Sequence, residues 1–477
     1  MWRRWRVSLT LGAGVPVVVL SGAVWTVLVP AAPGPRLLHT VAVGHAYTQD
    51  LAVDAASGHL YVPTQAGLAV LDSASGAVLG TVALPGQGWA EHVAVAARAR
   101  RVFATDSFHT LSVFDTEGRL LRSLTIGSGA LALAVDERAG HVFVYTASSP
   151  WQADTCGFGH VSMLDAASGR LLRTVSVGMP PGELPDEHTG CSVGGSSTRQ
   201  GALAVDERTG RLFVASRIAR GNEPTSVVSV LDTASGALLR TVQVGRQPKT
   251  VVVDAPTGRV FVTDGTGLSM LDARSGRLLR SYLVVAASGP LAVDGRTGHL
   301  FVPDTNGMIH TLDGSTGAVL HSLQIPYSPF ALGVAPMAAA YDSRSSRLFV
   351  LRPGIVGTRQ HPAPLAIPYG NRPSAPGSGA AGQEYLGTLW VVDMARGALL
   401  ETVSVGKNPA ALVLDARAGR AFVLNGGFGL WTAPRSGAAP LAESGWRRWL
   451  GWLPLLRGRS PAPIIEGSSI SVIDATR

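Results

Sequence analysis

The chain has 477 residues, 46% of them hydrophobic, and a formal net charge of +8; that length suits either several domains or one large repeat array with a substantial core. Its isoelectric point is near 10.0, yet Lys249 and Lys407 are the only lysines and no run of five or six like charges occurs. The basicity is scattered arginine, which a coding bias can supply, and this pattern argues against nucleic acid as a partner.

In chain order, the first six residues read MWRRWR, and an uncharged apolar stretch follows over residues 7–29. A helix of that length crosses about 30 Å of hydrocarbon. Arg3, Arg4 and Arg6 precede the stretch, which leaves the N-terminus in the cytoplasm and sends the remainder across the membrane. The stretch exceeds the roughly 7–15 apolar residues of a cleaved signal. The predicted organisation is therefore a cytoplasmic tip, a transmembrane signal-anchor helix and a linker over residues 1–36. Cleavage after Ala31 is the alternative and gives a secreted form; both routes place residues 37–477 outside the cytoplasm, at the cell surface or in a periplasm.

Beyond residue 37 the chain repeats one unit of about 40 residues, the period of a four-stranded propeller blade. Its clearest copy runs from Val244 as VGRQPKTVVVDAPTGRVFVTDGTGLSMLDARSGRLLRSYLV. The β-branched and apolar runs VVVD, RVFV, LSML and LLRSYLV read as strands a, b, c and d, separated by turns containing Gly. Eight strand-a signatures begin at Leu51, Val93, Leu133, Leu203, Val251, Leu291, Ala339 and Leu412. The chain stops after the eighth strand c, while LLHTVAVG from Leu37 matches LLRTVSVG from Leu171 and LLRTVQVG from Leu238. The expectation is an all-β, eight-bladed β-propeller closed by the N-terminal strand pairing into the last blade, which also removes exposed sheet edges. The repeated Asp in DERTG and DAASG patterns is assigned to turns: Asp accepts N–H groups two residues on, and Gly takes positive φ. Blade 2 has Ala96 at that Asp position.

The runs VGRQPKTVVVD, VGKNPAALVLD and SISVID resemble the YVTN family of β-propellers. That resemblance covers nearly the whole chain after residue 36 and implies a surface or periplasmic binding protein. LDARSGRLLRSY and LDAASGRLLRTV carry a second resemblance, to PQQ-type quinoprotein repeats and to related non-enzymatic scaffolds of outer-membrane assembly. Those repeats usually have Trp where this chain has Arg122, Arg173, Arg240 and Arg280, which sets it apart from the quinoprotein enzymes.

The long insertions are expected on one face, the top, formed by d–a and b–c connections: residues 145–159, 178–201, 215–226, 351–387 and 425–468. Loop elaboration on one face of a rigid scaffold marks it as the functional face. Cys156 and Cys191 lie in the first two insertions, where an exported protein can join them as a disulfide; two separate buried thiols are the alternative. The last insertion contains GWRRWLGWLPLLRGR, and Trp446, Arg447, Arg448, Trp449 and Trp452 within it suit a cap on the propeller, a partner surface or a membrane contact. Residues opening strand a nominate a channel-mouth site of His45, Trp89, His92, Arg246, Lys249 and Lys407, whose cations favour an anionic ligand.

No CxxCH, HExxH, GxGxxG before a helix, P-loop or nucleophile-elbow motif is present, so the reading includes no catalytic residues, no metal and no cofactor. It favours a binding or scaffold module that meets a protein, a glycan or a cell-envelope component through the top face. The alternative is a cofactor-dependent or hydrolytic propeller enzyme working in the central channel.

Overall fold

Residues 250–283 show how the sequence builds one blade. Thr250–Asp254, Arg259–Thr263, Gly267–Asp272 and Leu278–Leu283 pair antiparallel in that order. The connecting turns place Gly258 and Gly276 at φ +67° and +65°, where a side chain is strained. Strand b is apolar at consecutive positions because both of its faces are buried, so its run does not alternate.

In the computed structural model, the described residues are 17–20, 23–26, 35–46, 48, 50–86, 88–127, 129–147, 159–178, 202–220, 223–245, 248, 250–263, 267–283, 290–325, 336–353, 386–426 and 468–475. They form eight four-stranded antiparallel sheets. Seven are built from consecutive strands. The eighth has the order Arg36–Gly44, Ser468–Asp474, Arg420–Asn425, Pro409–Asp415, with Arg36 opposite Asp474 and Val41 opposite Ile470. The protein is thus an eight-bladed propeller whose last blade receives its outer strand from the N-terminal side, as the repeat pattern required.

Eight apolar clusters hold the ring, one between each pair of neighbouring blades. Leu212 and Val214 of blade 4 pack with Phe143 and Met163 of blade 3, whereas Phe213 and Ala215 face Val260 and Val262 of blade 5. The period-2 geometry of a strand thus divides one apolar run between two interfaces. The cluster joining blades 8 and 1 contains Leu60, Leu71, Phe422 and Val472, so closure is a packed core like the others. At the central position of strand b an aromatic ring recurs in every blade: Tyr61, Phe103, Phe143, Phe213, Phe261, Phe301, Phe349 and Phe422 are all buried.

The a–b and c–d turns share one face, the bottom, and are short. Asp72 Oδ1 accepts Ser75 N at 2.7 Å and Ser75 Oγ at 2.5 Å, and Asp165, Asp272 and Asp313 accept the corresponding N–H groups of Ser168, Ser275 and Thr316 at 2.8 Å each. In blade 2, where Ala96 replaces the first turn's Asp, Glu137 of blade 3 supplies the carboxylate to the N–H groups of Ala97 and Arg98. Strand d carries a β-bulge after its first or second residue in all eight blades, leaving Leu38, Leu79, Leu121 and Leu279 among others without a partner in strand c.

Two stretches outside the regular blade pattern take strand form among the described residues. The apolar N-terminal stretch contributes, among the described residues, two strands, Val17–Leu20 and Ala23–Thr26, paired with Val17 opposite Thr26. No helix of the described residues is long and apolar enough to cross a membrane. The sequence reason is the pair of β-branched runs VVVL and AVWT separated by Ser21 and Gly22, which suits a strand pair as well as a span. The insertion over residues 215–226 is a ribbon that extends strands b and c of blade 4 to Arg211–Arg220 and Glu223–Asp232, with Arg220 opposite Glu223.

Candidate functional site

The top-face site that side chains define most fully lies at blades 1 and 2. The connection PGQGWAEH lies against the b–c turn of blade 2, and two glycines permit it. A Cβ on Gly86 would stand 1.9 Å from Asp106 Oδ2, and one on Gly88 would stand 2.6 Å from Ser107 Oγ. Asp106 is buried and shapes the turn by accepting the N–H groups of Phe108, His109 and Thr110 at 3.1, 2.9 and 2.7 Å. Ser107 N donates to Trp89 O at 2.9 Å. The result is a pair of aromatic rings on the surface, Trp89 at 40% and Phe108 at 51% exposure, with centroids 6.5 Å apart. His109 stands 6.4 Å from Phe108.

Behind these rings, His92 Nδ1 is 3.4 Å from Asp50 Oδ2, and the same oxygen accepts Val93 N at 3.3 Å. Thr48 Oγ1 donates to Glu91 O and accepts Asp50 N at 2.9 Å, which fixes the carboxylate across the boundary between blades. Burial alone would lower the pKa of His92, but the Asp50 hydrogen bond and charge, with the charge of Glu91, outweigh it and raise the pKa above the ordinary value. Opposite His92 in the ladder is Thr105, whose buried hydroxyl has no hydrogen-bond partner, and the hydroxyl of Ser107 shares that condition. The arrangement offers an apolar ring surface, a titratable imidazole and two buried hydroxyls with bonding capacity left over.

Of the six nominated channel-mouth residues, Trp89 and His92 meet in this arrangement. His45 is exposed in the neighbouring connection between blades 8 and 1, where its carbonyl accepts Gln65 N at 2.6 Å. Lys407 is exposed at the end of strand d of blade 7, and its carbonyl accepts Gly426 N at 2.7 Å. Arg246 and Lys249 lie outside the described residues, as do Trp446, Arg447, Arg448, Trp449 and Trp452, and Cys156 and Cys191. The insertions over 178–201, 351–387 and 425–468 fall almost wholly outside them too. Sequence reading missed Asp50, Phe108 and His109. The available signal was that the b–c turn of blade 2, DSFHT, puts a Phe where a tip residue is ordinarily small or polar.

Two of the four arginines that stand where quinoprotein repeats have tryptophan have a visible task. Arg173 Nη1 and Arg280 Nη1 reach the carbonyls of Ser235 and Thr316 in the next blade at 3.3 Å each. Residues opening strand b act similarly: Arg101 Nε reaches Ala167 O at 3.1 Å, Arg347 Nη1 reaches Ala475 O at 2.7 Å and Arg420 Nε reaches Ala74 O at 3.4 Å. Arg417 Nη1 crosses from blade 8 to Ala55 O of blade 1 at 2.8 Å. Guanidinium presents five donors in a fixed fork and suits such reaches to backbone. Among the described residues no group of three or more His, Cys, Asp or Glu is arranged to hold a metal ion.

The fold and these sites define an eight-bladed, four-stranded β-propeller. A family model described as outer membrane protein assembly factor BamB matches residues 224–355. Among solved structures, Sqt1 of Saccharomyces cerevisiae is similar at 10% identity with a TM-score of 0.56, covering 82% of this chain and 96% of that one. BamB from Moraxella catarrhalis is similar at 13% identity with a TM-score of 0.53, covering 82% and 97%. At these identities the likeness is one of fold. No curated protein matches the chain. The local family match falls on the second resemblance drawn from the sequence, to the outer-membrane assembly scaffolds, and not on the YVTN one.

Proposed function

We propose that this protein is a membrane-anchored, extracytoplasmic propeller that acts as a binding or scaffold module, with its top face docking another protein of the cell envelope. The observation that carries the reading is the exposed Trp89–Phe108 pair on the top face. Aromatic rings held on a rigid turn are typical binding anchors, and nothing in the packing of blade 2 requires Phe108 to be at the surface. The match of residues 224–355 to a model described as an assembly factor supports a scaffold over a catalyst, and the arginine-rich leader followed by an apolar stretch supports export.

A photo-crosslinking amino acid at position 108 of the full chain, in intact cells, tests this against the same probe at position 275 on the bottom. The expected result is a discrete crosslinked protein from position 108 that disappears with Trp89→Ala. Equal or absent crosslinking at the two positions overturns the top-face reading. Retention of the anchor is read separately, from the intact mass of the exported chain.

A further inference from the structure

The propeller carries a belt of exposed aliphatic side chains around its bottom rim. In seven of the eight blades the first two apolar residues of strand d are large groups with exposures between 36% and 56%, as in Leu37 and Leu38, or Leu278 and Leu279. Elsewhere on the described surface only Trp89, Phe108 and Met337 have comparable exposure among large hydrophobic side chains. Single exposed leucines need no explanation, but a large exposed apolar surface marks an interaction site.

The belt is built into the fold. The bulge at the start of strand d recurs in every blade, and a bulge re-aims the side chains beside it. Both members of each pair are therefore exposed, where ordinary alternation would turn one toward the interior. The exception is blade 7, where Leu399 and Leu400 are half-buried.

Charge and chain path indicate what covers the belt. Exposed arginines lead directly into the pairs at Arg36, Arg119, Arg170 and Arg277, and others follow them at Arg122 and Arg240. Several carboxylates on this rim are engaged: Asp72, Asp165 and Asp272 each accept the N–H and hydroxyl of the Ser three residues on, and Glu117 pairs with Arg100 at 2.9 Å. The apolar N-terminal stretch also joins the propeller here, since Arg36, opposite Asp474 at the bottom, runs straight into Leu37 and Leu38. Aliphatic side chains bordered by guanidinium groups match the boundary between acyl chains and phosphates.

We propose that the bottom rim is a lipid-contacting surface that seats the propeller on an anionic membrane and turns the top face outward. This rests in part on the reading that residues 1–34 bring the chain to a membrane, so the test omits them. Residues 35–477 retain all eight blades and all eight inter-blade cores. This domain is floated with vesicles of phosphatidylcholine alone and of phosphatidylcholine with phosphatidylglycerol, beside a variant carrying Leu79→Ser, Leu121→Ser, Leu239→Ser and Leu279→Ser.

The expected result is binding to the anionic vesicles that is about tenfold or more tighter than to neutral ones and is lost in the variant. An unchanged thermal midpoint for the variant, whose altered residues are all exposed, shows that loss is not unfolding. Failure of the unaltered domain to float, or equal flotation of the variant, overturns the proposal. So does sedimentation showing that the belt joins two copies of the chain and that the serine variant is monomeric. None of these outcomes depends on whether residues 1–34 are retained, which the intact mass decides.

Discussion

The a–b turn of blade 2 lacks its carboxylate, and Glu137 of the next blade fills the gap. Glu207 of blade 4 repeats the device by accepting Glu137 N at 3.1 Å. Glu137→Ala leaves two turn N–H groups without that acceptor and is expected to cost about 1–2 kcal/mol in urea unfolding. Ala96→Asp restores a local cap, so the double variant is expected to be more stable than Glu137→Ala alone; simple additivity of the two losses would show that Glu137 does not act as the cap. The c–d turns respond to acid. Hydrogen bonds from Ser75, Ser168 and Ser275 hold Asp72, Asp165 and Asp272 below the ordinary carboxylate value, and those from Ser315 and the Thr316 N–H lower Asp313 to about 2. Because the folded pKa is depressed, this contribution is fully present above the unfolded value of 3.8 and is lost as pH falls toward 2. The urea midpoint should therefore drop between about pH 4 and pH 2, and Asp313→Asn should make that drop shallower. The groups are largely exposed, so each share is small.

At the scale of elements, the strand that matters most is Arg36–Gly44. It pairs with Ser468–Asp474 and covers what would otherwise be an open edge of the last blade. Val43 packs against the core between blades 8 and 1, so the strand also joins the ends of the ring. A chain that begins at Pro35 is expected to fold to a monomeric β-rich domain, while one that begins after Gly44 loses its outer strand and aggregates. Circular dichroism with size-exclusion chromatography distinguishes them, and equal behaviour would show that closure does not depend on this strand. The bulge in strand d is a second such element. The doubled Leu at its start is visible in the sequence, but the exposure of both residues is not, because a strand without the bulge would bury one of them.

For the whole molecule, eight inter-blade cores and a continuous set of reaches from one blade to the next make the ring one packed unit. The same order separates its faces: short turns built on Asp, with Arg reaching between blades, below, and the Trp89–Phe108 pair above. The sequence by itself determined the fold, the number of blades, the closing strand and the turn role of the recurring Asp, because each follows from a pattern repeated within about 40 residues of chain. It also nominated Trp89 and His92 by their place at the start of strand a. Only the tertiary structure decided that Asp50 holds His92, that Phe108 stands beside Trp89, that Glu137 completes the turn of blade 2, that arginines tie neighbouring blades and that the leucines form an exposed belt. These depend on the register between blades and on bulges within them, where groups distant in the chain meet at distances that no local pattern encodes.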